Sequence, residues 1–362
     1  MHYKIADVIL CSQISLPSFS AFLCEPADAD VTLGITEEPP PAGQDTVIRA
    51  GFVVRTLADG WYFHTGANID VGLRIGGDYT ELKLMRRESR DTTEPEEWFV
   101  RVALECLLIR RGYLSLHAAC VELDGEAIAF SGPSGIGKSS RAGAWVNALG
   151  AALVSGDRPL IRIRAPEAFG VPWDGKEGCF RSVHYPLKAI CEVRRSNSVY
   201  VRRMTAEQRR RFLMQQCFVP MWDTDTAAVQ IMNIARFVSR ARIVRVFCGP
   251  GTDDAKALRQ ILDQNKEYTE APEMKAKKGF ILRQIADENI LMPIGDTIAK
   301  FDGTVLLNDV SAFIWKKLQT PVAREDLLIA ILDEYDVDEA TAAADLDALL
   351  EKFRSYGVIE DM

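Results

Sequence analysis

The sequence predicts an α/β core with a phosphate-binding loop, set between a β-rich N-terminal region and a C-terminal α+β domain. Three observations predict this. Residues 132–139 read Gly-Pro-Ser-Gly-Ile-Gly-Lys-Ser, which fits G-x-x-x-x-G-K-[ST]. The segment from about 111 to 250 alternates strand-like and helix-like runs. A polar, charged break at 251–278 precedes short strands and three helical patterns.

The 362 residues exceed one ordinary core and suggest two or three domains. The boundaries are read as 1–94, 95–262, a linker at 263–278, and 279–362. With 48% hydrophobic and 26% charged residues, the chain has a globular composition. Its net charge of −8 argues against a general nucleic-acid binder, which needs a basic surface. The eight cysteines have no C-x-x-C spacing, so they read as buried thiols in a reducing compartment rather than zinc ligands. No run approaches the roughly 18–20 apolar residues of a membrane span, and the expected location is cytoplasmic.

Residues 1–94 hold short apolar runs such as Val47–Arg55 and Gly60–His64, punctuated by Pro39–Pro41, Ala58–Gly60 and Gly76–Asp78. This pattern predicts a small antiparallel sheet. A helix starts near Pro95, because proline suits the first helical position, and Trp98, Val102, Cys106 and Ile109 give it helical spacing. Strands are expected at Gly125–Ser131, Ala152–Ser155 and Pro159–Ile163, with a helix over Lys138–Leu149. Ala255–Leu262 suits a last helix before the linker. In the C-terminal domain, strands at Phe280–Arg283, Asn289–Met292 and Thr304–Leu307 precede helices near 308–318, 323–335 and 339–356.

The loop carries the first chemistry. Gly135 and Gly137 can take positive φ, letting backbone N–H groups converge on phosphate oxygens, and the next helix aims its positive end at the same anion. The cradle is Gly132, Pro133, Ser134, Gly135, Ile136, Gly137, Lys138, Ser139 and Ser140. Lys138 suits the outer phosphates of ATP, and Ser139 suits Mg²⁺. A carboxylate must also hold the metal or activate an acceptor. Asp157 ends an apolar strand about twenty residues after Lys138 and is the candidate, although Ser-Gly-Asp is also ordinary turn chemistry. His117, upstream in Leu114–Cys120, is either a packed strand residue or part of the site. Lys176 and Glu177 suit phosphate and metal, or form a solvated charge pair. The arginines between 194 and 211 form a solvated helix face or an anion clamp.

Leu116–Ala119, then Phe130–Ser140, then Leu153–Asp157 resemble, in that order, the HPr serine kinase family. The resemblance covers roughly residues 110–250. It implies a fold of phosphoenolpyruvate carboxykinase type and transfer of phosphate to a protein serine. It places Lys138 at phosphate, Ser139 and Asp157 at the metal and His117 in the site, and it suggests self-association. One departure stands out: the family shows two adjacent aspartates where this chain has Gly156-Asp157. One of that pair is held to be the general base.

Phe280–Arg283, Glu288–Pro293, Leu306–Asn308, Ala312–Trp315 and the closing amphipathic helix are similar to PqqD-like peptide-recognition domains. These are small winged-helix-like units that add a leader peptide to a sheet edge. The resemblance makes Thr304, Val305 and Leu306 the edge, and Leu346, Leu349, Leu350 and Phe353 the groove. Helical spacing alone equally allows those last four to be core. A DNA reader is disfavoured, since the final helix carries Asp345, Asp347 and Glu351. Together the resemblances imply a kinase for serine or threonine of a ribosomal precursor peptide. The alternatives are a nucleotide-binding adaptor without catalysis, or an ATP hydrolase or nucleotidyl transferase acting on a small molecule.

Overall fold

The computed structural model describes residues 1–362 except 50, 67, 86–93, 174–177, 197–198, 265–272, 300, 302 and 362. The chain divides into two compact units, Met1–Tyr268 and Thr269–Met362.

The first unit begins with eight strands: β1 (His2–Ile5), β2 (Val8–Ser12), β3 (Val31–Thr36), β4 (Gln44–Arg49), β5 (Phe52–Thr56), β6 (Gly60–Thr65), β7 (Asn68–Gly76) and β8 (Glu81–Met85). They form one sheet in the order β1-β2-β3-β8-β7-β6-β5-β4. Two expectations need correcting. The run Val47–Arg55 is not one strand but a hairpin, because Gly51 takes φ 83° and turns the chain back, pairing Val47 with Val53. The sheet is also mixed, since β3 runs parallel to both β2 and β8.

Helix α1 (Glu94–Arg110) is enclosed over much of its surface, with Glu96 and Glu105 buried beside its apolar residues. Phe99, Val100, Ala103, Leu104 and Leu107 share a core with Leu33, Phe63, Leu73 and Leu84 of the sheet. The segments expected as separate domains at 1–94 and 95–262 therefore bury apolar surface together. A polar network reinforces the junction: Tyr79 Oη donates to Asp223 Oδ2 at 2.9 Å, and Arg110 pairs with the same carboxylate at 3.0 Å.

A second sheet follows, from β9 (Tyr113–Ser115), β10 (Ala118–Leu123), β11 (Glu126–Ser131), β12 (Ala152–Ser155), β13 (Leu160–Arg162), β14 (Glu167–Phe169), β15 (His184–Arg194), β16 (Tyr200–Arg203) and β17 (Ile243–Phe247). Its order is β12-β10-β11-β15-β14-β13-β9, with β17 beside β15 and β16 beside β17. The central strands β11, β15 and β17 run parallel. Alternation along β11 sends Ala127 and Ala129 to one core and Ile128 and Phe130 to the other. Helices α2 (Lys138–Leu149) and α5 (Thr252–Asp263) cover the second face through Trp145, Leu258 and Leu262. Helices α3 (Ala206–Gln216) and α4 (Thr224–Phe237) cover the first through Phe212, Leu213, Ile234 and Phe237. The result is three layers, with loops gathered beyond the strand ends.

The second unit holds β18 (Glu273–Ala276), β19 (Phe280–Ile285), β20 (Glu288–Pro293), β21 (Val305–Leu307), α6 (Asp309–Lys317), β22 (Val322–Ala323), α7 (Arg324–Glu334), α8 (Glu339–Ser355) and β23 (Ile359–Asp361). Its two sheets are β22-β18-β23 and β19-β20-β21. The end of the expected linker is thus a strand. Met274 is its buried anchor, while Glu273 and Lys275 on either side mask the strand pattern. Asn308 caps α6 and Asp338 caps α8 through the amides of Ser311 and Thr341. Among the described residues, no helix is long and apolar enough to cross a membrane.

Candidate functional site

Strand β11 delivers the chain into the Gly132–Ser139 loop, and α2 leaves it. Gly132, Gly135 and Gly137 take φ values of 150°, 79° and 96°. Gly137 caps α2, and a Cβ there would sit 2.7 Å from Arg141 Nη1. Ile136 points inward, 4% exposed, as an anchor in the core. Its amide is bonded to the Pro133 carbonyl at 3.3 Å, so Ile136 braces the loop rather than serving it as a free donor. Pro133, Ser134, Gly135, Ser139 and Ser140 are exposed. Lys138 Nζ donates to the carbonyls of Gly132 and Pro133 at 3.0 and 3.1 Å, lying over the loop.

Two arginines hold the loop: Arg141, which the sequence reading did not single out, and Arg195, which it left as part of a solvated face or an anion clamp. Arg141 is 4% exposed and donates to the carbonyls of Ile136 (2.9 Å), Gly137 (3.2 Å) and Cys248, and to Cys248 Sγ (3.3 Å). It ties the loop to the end of β17. Arg195, from the basic stretch, donates to the Gly135 carbonyl at 2.7 Å. The only local signal for Arg141 was its position in the first turn of α2, two residues after the motif.

His117 follows β9 and precedes β10. Its amide donates to the Gln216 carbonyl at 2.8 Å, and its own carbonyl accepts from Ser131 Oγ at 2.7 Å. Asp157 lies two residues beyond β12, where Ser155 Oγ donates to its carbonyl at 2.7 Å. The structure brings the two side chains together, His117 Nε2 to Asp157 Oδ1 at 4.0 Å, each 31% exposed. That atom of Asp157 is buried and has no hydrogen-bond partner among the described residues. It is an acceptor facing inward with its capacity unused.

Burial lowers the His117 pKa, the Lys138 cation lowers it further, and Asp157 pulls it back. Burial also lowers the Lys138 pKa, again opposed by Asp157. Arg158 acts downward on both, so His117, Lys138, Asp157 and Arg158 form one electrostatic cluster. Arg158 was missed by the sequence reading. It occupies the left-handed region at φ 52°, and Trp173 Nε1 donates to its carbonyl at 3.4 Å.

These residues suit a triphosphate and its magnesium. Gly135 faces open space, Ser139 is exposed, and Asp157 Oδ1 lacks a donor among the described residues. Among the described residues, no group of three or more His, Cys, Asp or Glu could hold a metal alone. That is compatible with magnesium, which takes most ligands from phosphate and water. Lys176 and Glu177, the latter the third expected metal ligand, lie outside the described residues.

In the second unit, β21 is a sheet edge beside β20. Thr304 is exposed and Leu306 is 59% exposed, whereas Val305 turns inward at 7%. Leu350 and Phe353 need correcting as groove residues. They are 1% and 0% exposed in the domain core, where Phe353 meets Trp315 edge-on at 5.8 Å. Leu346 is also buried, but it lines a hollow of about 420 Å³ with Asn308, Val310, Tyr335, Val337 and Leu349. The hollow starts where β21 passes into α6.

Residues 288–359 match the family described as Coenzyme PQQ synthesis protein D (PqqD), so the C-terminal region is PqqD-like. Among solved structures, TbiB1 in complex with the TbiA(beta) leader peptide is similar at 27% identity. The match covers 24% of this chain and 94% of that one, with a TM-score of 0.21. Lasso peptide synthetase B1 complexed with the leader peptide is similar at 22% identity, over 24% of this chain and 98% of that one, also with a TM-score of 0.21. No curated protein matches the chain.

Proposed function

We propose that the protein is an ATP-dependent kinase for serine or threonine of a ribosomally made precursor peptide, whose leader is captured by the PqqD-like unit. The observation that carries the reading is the meeting of Lys138, His117 and Asp157 beside the Gly132–Ser139 loop, in a chain whose residues 288–359 match PqqD. The resemblance to HPr serine kinases supports the same chemistry.

On this reading Gly132–Ser140 hold the nucleotide, and Ser139 and Asp157 hold magnesium. The bound nucleotide supplies the phosphoryl group. Lys138 and the loop amides hold negative charge in place. His117 is kept neutral near pH 7, so a ring nitrogen can accept the proton of an acceptor hydroxyl. That role answers the departure at Gly156-Asp157, where one carboxylate stands in place of two. Leader binding along β21 and the neighbouring hollow raises the effective concentration of the acceptor residue.

The test is transfer from γ-labelled ATP to the precursor peptide encoded beside this protein, followed by mass. Incorporation of phosphate that falls at least tenfold on deleting the leader supports both halves. ATP binding without transfer to the correct peptide would sink the kinase half. The lone Asp157 motivates that second reading, a nucleotide-binding adaptor that presents the precursor to other enzymes. Transfer at full rate to a leaderless peptide would sink the recognition half.

A further inference from the structure

We propose that the first unit carries a second anion site, remote from the Gly132–Ser139 loop, that takes a small, multiply charged phosphate ligand. Five arginines, Arg111, Arg162, Arg164, Arg236 and Arg240, line one open hollow of about 910 Å³ with a single carboxylate, Asp7. This occurs in a chain whose net charge is −8, so overall composition does not account for it.

The arginines come from three places: the end of α1, the β13–β14 turn and the end of α4. Backbone-directed bonds lock these together. Asn233 Nδ2 of α4 donates to the Ile109 carbonyl at 2.8 Å, and the Ile163 amide donates to the Gly112 carbonyl at 3.1 Å. The hollow is therefore framed by fixed backbone.

Two of the five charges are matched. Arg111 meets Asp30 at 2.8 Å, and Arg162 pairs with Glu167. Arg164, Arg236 and Arg240 are exposed and have no carboxylate within ion-pair reach among the described residues. Arg236 lies in the last turn of α4 and Arg240 in the turn that follows the helix. The negative end of the α4 dipole explains a cation or two there. It does not explain Arg162 and Arg164, which arrive from a strand and its turn.

Guanidinium forks match phosphate oxygens in pairs. Three unmatched forks suit a ligand with several negative charges. Among the lining side chains only Ile163 and Ala165 are wholly apolar, so recognition would rest on the phosphates. The site is not an extension of the loop. Strand β13 runs antiparallel to β9, with Leu160 opposite Ser115 and Arg162 opposite Tyr113. His117 and Asp157 lie past one end of this pair and the arginines at the other. The separation is on the order of 15 Å at about 3.3 Å per residue.

Calorimetric titration of full-length Lys138→Ala protein with inorganic tripolyphosphate tests the site independently of the kinase reading. Saturable binding is expected, weakening at least tenfold in the added double variant Arg236→Glu, Arg240→Glu. If that variant unfolds at a lower temperature, Arg164→Glu, in an exposed turn, replaces it with the same expectation. Undiminished affinity after charge reversal overturns the proposal, as does absence of binding to the Lys138→Ala protein. Tighter binding of hexaglutamate than of tripolyphosphate also overturns it, because the hollow would then be a peptide site.

Discussion

Arg141→Met tests whether the loop is held from beneath. The guanidinium makes three carbonyl bonds, but the Gly137 carbonyl also accepts the Arg141 amide at 3.1 Å and stays satisfied without the side chain. The carbonyls of Ile136 and Cys248 lose their guanidinium donor. Leaving each unsatisfied costs about 1–3 kcal/mol, or roughly 2–6 kcal/mol together. Removing a buried cation returns part of its desolvation cost, and Met fills much of the space, so the net loss is about 2–4 kcal/mol. A domain stable by about 5–15 kcal/mol survives this. Urea unfolding followed by tryptophan fluorescence measures it, since Trp61, Trp98, Trp145, Trp173 and Trp222 all lie in the first unit. The midpoint should fall, and ATP affinity should drop at least tenfold because the loop loses its tether to β17. A loss below about 1 kcal/mol with unchanged ATP affinity would refute the reasoning.

Four further outcomes follow from the two sites. Lys138→Ala should remove transfer by more than about a hundredfold while leader affinity, measured by fluorescence polarisation, stays constant. Asp157→Asn should also abolish transfer, and a near-full rate would show that this carboxylate is neither base nor essential ligand. The acidic limb of the rate profile should lie below pH 6.5, because the His117 pKa is lowered, and should vanish in His117→Gln. The same shift makes the unfolded state hold more protons between the folded pKa and 6.5. His117 thus adds stability as pH rises through that window, and the variant should flatten the slope. Leu350→Ala should cost the C-terminal unit about 2–5 kcal/mol, whereas Leu349→Asp should weaken leader binding with a smaller loss of stability. If Leu349→Asp binds leader normally, the hollow is not the peptide groove.

The parts of the site legible in the sequence are those whose meaning is local. The loop is eight contiguous residues, and its flanking strand and helix are adjacent, so pattern and context arrive together. Asp157 was legible because it follows a strand end, where a sheet gathers its loops, and His117 entered through the resemblance. Arg141 and Arg158 were not legible, and Arg195 was legible only as one of a basic stretch. Each acts on backbone or charge supplied by another segment, and a guanidinium gives no local hint of which carbonyl it will reach. The parallel pairing of β3 with β8 was illegible for a related reason. Strand pattern reports which face is buried, not which neighbour is chosen.

The same limit explains the misplaced groove. The spacing of Leu346, Leu349, Leu350 and Phe353 establishes one apolar stripe on α8, and the resemblance to PqqD-like domains assigned the whole stripe to a peptide groove. A unit of fewer than a hundred residues has little apolar surface to spare, so its own core claims the centre of each stripe. Trp315 and Phe353 meet there, with Leu350 fully enclosed. What remains for a partner is the margin of the stripe, Leu349 with Tyr335 and Val337 across the hollow, and the edge residue Leu306. Recognition in such a unit therefore falls to the half-buried margin of the apolar face. Spacing alone does not separate that margin from the core, and a search for partner contacts should begin with the margin.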